Sequence, residues 1–149
     1  MRLSNLLIIP VVLSACSRPS SQNDQPILGT WRLVTAKNIT KGDTVTTFPV
    51  AGQEMIKMFN NERFSFFKHD LKQGKDTANA NFESGNGTYK LTGQDYSEHL
   101  EYCNYREWEN HDFKFTVSIK NDTLIQKGIE RIDSLNVNRE IVETYVRLK

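Results

Sequence analysis

The chain has 149 residues, with 19 Lys and Arg against 18 Asp and Glu, a formal net charge of +1. That balance argues against nucleic acid or an anionic surface as the main partner, and the length suits one folded domain. Only two cysteines are present, Cys16 and Cys103. If Cys16 is used elsewhere, the remaining thiol has no disulfide partner within the chain, so the core must hold the fold. Cys103 is then expected as a buried small apolar residue.

The start of the chain is a secretory signal in outline. Met1-Arg2 supplies one positive charge, and residues 6–13 form an apolar run broken by Pro10. Eight residues span about 12 Å as a helix, far short of the roughly 30 Å of hydrocarbon a transmembrane helix crosses. Small residues follow, as they do at a cleavage site. The segment Leu13-Ser14-Ala15-Cys16 resembles the lipobox of bacterial lipoproteins. That resemblance implies a signal peptide over 1–15 and lipid attachment at Cys16, through a diacylglyceryl group and a further acyl chain such as palmitate. Two or more chains hold stably where one does not. Residues 16–26 are polar and without apolar periodicity, so they read as a flexible spacer. This implies a membrane-anchored protein of the cell envelope, at the outer membrane facing the periplasm. Asp24 is the only acidic residue of the spacer, which gives no support for surface display.

Strand signals dominate from residue 27 onward. Runs at 27–36, 55–59, 63–68, 87–92, 95–103, 113–120, 123–129 and 141–149 favour extended structure, with a further short strand near 44–48. Between them stand the turn residues Asn60-Asn61, Gly85-Asn86-Gly87, Gly93-Gln94 and Asn121-Asp122. Residues 70–81 are polar and read as a loop. No segment carries a sustained helical stripe. Many short strands joined by tight turns predict an all-β fold, an antiparallel up-and-down barrel of about eight strands.

The clearest alternation is Phe113-Lys114-Phe115-Thr116-Val117-Ser118-Ile119-Lys120, apolar at odd positions and polar at even ones. A two-residue turn at Asn121-Asp122 sets Val117 opposite Gln126, and one at Gly93-Gln94 sets Tyr89 opposite Glu98. Matching apolar faces between the middle two strands then predicts Leu100 opposite Phe115, Tyr102 opposite Phe113, Glu98 opposite Val117 and, outside, Glu101 against Lys114. Tyr89, Glu98, Val117 and Gln126 would share one interior level. A carboxylate there needs a partner or a proton, the candidates being Tyr89, Gln126, a base from another strand such as Arg147, water or a ligand.

Gly29-Thr30-Trp31 opens the folded part and Arg147 stands near its end. Gly-x-Trp on a first strand with an Arg on the last resembles lipocalins and their wider barrel relatives. The resemblance covers residues 27–149 and is strongest to small lipocalin-like domains of bacterial lipoproteins. It implies that Trp31 closes one end of the barrel beneath Arg147, a cation–π contact.

The function expected is therefore binding of a small, largely apolar ligand in the barrel. Glu98 and Gln126 would meet its polar group, and Tyr89, Tyr96, Leu100 and Phe115 would stand around it. The alternative is a structural or inhibitory envelope protein whose 15 aromatic residues fill the barrel, since eight strands leave room for side chains or one small ligand. A monomer is expected, and no cofactor or metal is implied. Catalysis is not expected: His69-Asp70 and His111-Asp112 are sequence neighbours whose side chains diverge on a strand. His99 and Glu101 share a face predicted to be outside. The tract Tyr102–Phe113, with Tyr105 and Trp108, is either a gating or partner loop or a cover packed over the barrel mouth.

Overall fold

The computed structural model describes residues 26–149; the signal, the Cys16 lipid site and most of the spacer lie outside the described residues. Nine strands follow one another: β1 (Gly29–Thr40), β2 (Asp43–Phe48), β3 (Gln53–Phe59), β4 (Arg63–Asp70), β5 (Phe82–Thr92), β6 (Asp95–Cys103), β7 (His111–Lys120), β8 (Thr123–Ile132) and β9 (Val137–Arg147). All pairings are antiparallel, and β1 also pairs with β9, so eight strands close into a barrel. The ninth, β2, is an added hairpin strand. The first residues of β1 pair with β3, while Ala36–Thr40 pair with β2.

Tight turns gather at one end of the barrel. Asn121 and Asp122 both take positive φ, 49° and 59°, the backbone a two-residue hairpin turn requires. That end is plugged by side chains. Trp31 is fully buried and its indole N–H donates to the Ile27 carbonyl at 2.7 Å. The Arg147 guanidinium lies 4.1 Å from the Trp31 ring centroid and donates to the carbonyls of Leu28 and Pro26. Gly29 permits this because its φ of +114° is a conformation other residues avoid, and a Cβ there would stand 3.1 Å from the Arg147 Nη1. Above it Phe59, Tyr89, Tyr96 and Phe115 pack as a continuous aromatic layer, with ring centroids 5.3–6.3 Å apart.

The two predicted turn registers hold, with Val117 opposite Gln126 and Tyr89 opposite Glu98. The register between β6 and β7 does not. Phe115 faces Tyr96 rather than Leu100, Phe113 faces Glu98 rather than Tyr102, and Lys114 faces Ser97 rather than Glu101. Glu98 and Val117 are therefore not opposite each other. The slip is even, so every inward residue of β7 stays inward and alternation alone cannot detect it. The hairpin is closed early by the connection: the Asn110 N–H donates to the Leu100 carbonyl at 2.7 Å, and the Glu109 carboxylate accepts the Cys103 N–H at 2.9 Å.

Gly85-Asn86-Gly87 is no turn but the middle of β5. A bulge between Asn86 and Gly87 turns Tyr102 outward, where it is 63% exposed, and Cys103 inward. A Cβ on Gly87 would lie 1.9 Å from the His99 carbonyl oxygen; the glycine is there for close approach of two backbones. Glu101 pairs instead with Arg63, which also donates to the Asn86 side chain.

Candidate ligand cavity

The other end of the barrel is open. Its rim comes from β2, the loop at 71–81, the connection holding the short 3-10 turn Arg106–Trp108, and the 3-10 turn Asp133–Leu135. Asp70 anchors the first loop, its carboxylate accepting the N–H groups of Gly74 and Asn81. These bonds hold that carboxyl below its ordinary range. Inside the rim is a cavity of about 420 Å³, within the size range of small-molecule sites. Leu33, Ala36, Phe66, Leu100 and Phe113 are among its apolar lining residues, and Trp108 and Tyr105 stand at its mouth.

The floor is polar, and its centre is a residue the sequence reading passed over. Lys57 on β3 is 4% exposed. Its ammonium donates to Glu98 at 2.9 Å and to the Gln126 side-chain oxygen at 3.1 Å. It lies 4.8–5.5 Å from the ring centroids of Phe64, Phe59 and Tyr96, and so marks the boundary between aromatic plug and cavity. The Tyr96 hydroxyl donates to Glu98 at 2.6 Å. The partner for the interior carboxylate is thus a base from another strand, Lys57 rather than Arg147. The alternation Met55, Lys57, Phe59 carried the signal, since an inward Phe59 requires an inward Lys57.

A second polar group comes from β8 and β9. Gln126 lies opposite Glu143, and Glu130 opposite Arg139. Arg139 donates to Glu130 at 2.8 Å and places its guanidinium 5.8 Å from the Trp108 ring centroid. Glu143 accepts the Tyr145 hydroxyl at 2.6 Å. Burial raises the Glu143 carboxyl above its ordinary range, against the lowering effects of Lys57 and of the Tyr145 hydrogen bond, with Glu130 and Glu98 adding to the rise. Burial likewise raises Glu130, opposed by Arg139, and drives the Tyr96 and Tyr145 phenols well up. The Cys103 thiol, buried at the cavity wall, is raised for the same reason.

Of the six residues expected around a ligand, Glu98, Gln126 and Leu100 line the cavity. Tyr89, Tyr96 and Phe115 do not: they belong to the plug beneath it, and Tyr89 spends its hydroxyl on the Asn60 carbonyl. Trp108 packs on Phe113 with ring centroids 6.3 Å apart, while Tyr102 and Tyr105 of the same tract are exposed. His99 is on the outer face and pairs with Asp112 across the strands at 2.9 Å, a pairing that only the true β6–β7 register creates.

Closed eight-stranded barrel, indole plug and one open end together make a lipocalin-like fold. A solved lipocalin-like protein from Bacteroides uniformis superposes with a TM-score of 0.51 at 17% identity, over 82% of this chain and 98% of that one. A solved protein from Bacteroides eggerthii aligns with a TM-score of 0.47 at 14% identity, over 80% and 99%. No family model matches the chain, and no curated protein matches it.

Proposed function

We propose that the protein holds a small ligand in the open half of the barrel, tethered to the cell envelope by lipid on Cys16. The observation that carries the binding reading is the cavity of about 420 Å³ between the aromatic plug and the rim. Apolar residues such as Leu33, Phe66 and Phe113 share its wall with seven charged side chains, a more polar lining than most small-molecule sites have, in a space of their size. The alternative of a barrel filled by its own side chains describes the closed half well, but leaves the space above Lys57 without a role. The polar floor means the occupant is not uniformly apolar: its body would contact Leu33, Phe66 and Phe113, and its polar group would meet the floor.

Titration with the neutral dye N-phenyl-1-naphthylamine tests this. Saturable binding is expected, weakened at least tenfold by Ala36→Phe, which extends a side chain from the cavity wall. No binding, or binding indifferent to Ala36→Phe, would overturn the reading. The tether rests on Leu13-Ser14-Ala15-Cys16 and the apolar run before it. Cys16→Ala should abolish acyl labelling and release the protein from membranes; labelling that survives the change would refute it.

A further inference from the structure

The acids inside the cavity outnumber the bases. Four carboxylates line it, Glu83, Glu98, Glu130 and Glu143, against three cations, Lys57, Lys68 and Arg139. Each cation is matched to one acid: Lys57 to Glu98 at 2.9 Å, Lys68 to Glu83 at 3.0 Å and Arg139 to Glu130 at 2.7 Å. Glu143 is left over. Its one hydrogen-bond partner among the described residues is the neutral Tyr145 hydroxyl. It is directed into the barrel between the buried residues Ile141 and Tyr145 of the same strand.

We infer that the ligand carries a positively charged nitrogen, an amphiphilic amine whose ammonium pairs with Glu143 while its body lies against the aromatic and aliphatic wall. The inference rests on the barrel-binding reading and gives that ligand its chemical class. An ammonium gives Glu143 the basic partner that the other three acids already have, and adds a donor to a carboxyl that otherwise has only a phenol. An anionic ligand would instead have to take Lys57, Lys68 or Arg139 from its acid, leaving a second carboxylate unpaired beside Glu143. A neutral ligand would leave Glu143 without a basic partner. Phe66, Phe113 and Trp108 line the same space and supply apolar surface for the body of the amine.

The groups facing Glu143 are Lys57 from β3, Glu98 from β6, Gln126 and Glu130 from β8, and Tyr145 on its own strand. Burial raises the Glu143 carboxyl, so capture of an ammonium is coupled to release of a proton from it, and amine binding should tighten as pH rises through the range in which Glu143 ionises.

The test uses three probes of one shape on the full chain: 4-phenylbutylamine, 4-phenylbutan-1-ol and 4-phenylbutyrate, each competing with N-phenyl-1-naphthylamine. The amine is expected to displace the dye at a concentration at least tenfold below the alcohol, with the carboxylate weakest. Glu143→Gln should bring the amine-to-alcohol ratio close to one, and Glu62→Gln, exposed in the β3–β4 turn at the closed end of the barrel, should leave the ratio as it is. Should Glu143→Gln fail to fold, the order of the three probes on the unaltered protein decides alone. An alcohol or carboxylate that equals or beats the amine would overturn the amine inference and leave the barrel-binding reading standing. If the dye itself does not bind, the barrel reading fails and the amine inference fails with it.

Discussion

Lys57 decides whether the interior of this barrel is stable or strained. It is an ammonium almost wholly removed from water, held by Glu98, Gln126 and three aromatic faces. A buried ion pair contributes little net stability when intact, yet removing one partner leaves a buried charge at a cost of roughly 3–5 kcal/mol. Lys57→Met should therefore destabilise by about that amount, while Lys57→Met with Glu98→Leu should recover most of it. Urea unfolding of the two variants checks this; equal losses in the single and double variants would show that Glu98 does not depend on Lys57. Glu143 has the opposite sensitivity. Its folded-state affinity for a proton is raised by burial, so folding takes up a proton. The stability this supports is complete below the unfolded value of about 4.3 and declines as pH rises from there through the higher folded value. Relative to Glu143→Gln, the unaltered protein should lose stability as pH rises from 4 towards 7. A pH-independent difference would show that the carboxyl is well solvated.

Among the elements, the instructive pair is β5 and β6. Gly87 lies where a Cβ would be 1.9 Å from the His99 carbonyl oxygen, with 2.9 Å to its carbon. A backbone oxygen cannot swing aside like a side-chain tip, so Gly87→Ala must move a strand. The expected loss is at least about 1–3 kcal/mol, read as a fall in the thermal midpoint, and an unchanged midpoint would mean the bulge is absent in solution. The same region shows what a sequence can and cannot disclose. The hairpin registers at Gly93-Gln94 and Asn121-Asp122 were legible because a two-residue turn fixes which residues face each other. The β6–β7 register was not, because residues 104–110 form a structured connection whose contacts bridge strand ends, and an even slip leaves the alternation intact. Gly87 looked like a turn residue because composition does not distinguish a glycine needed for positive φ from one needed for lack of a side chain. Lys57 and Glu143 were missed for a related reason: charged residues at inward positions break the apolar pattern that identifies a face. Their neighbours Phe59 and Tyr145, both buried, were the available clue.

Over the whole molecule, the barrel is two stacked compartments. From the indole of Trp31 up to Lys57, aromatic side chains fill it; from Lys57 to the rim of Phe48, Tyr105 and Trp108 there is space. The first compartment supplies the core of the fold, and among the described residues Cys103, at the wall of the second, is a free thiol. The second has loops rather than tight turns around it, the usual place for binding groups on a rigid scaffold. A ligand that binds only the folded state must raise its stability by mass action, by roughly 2.7 kcal/mol at a hundredfold excess over the dissociation constant. The most direct test of the account is therefore the thermal midpoint of the protein with increasing N-phenyl-1-naphthylamine, beside Ala36→Phe under the same conditions. The account predicts a midpoint that climbs by several degrees in the unaltered protein and much less in Ala36→Phe; equal shifts in both, or none in either, would contradict it.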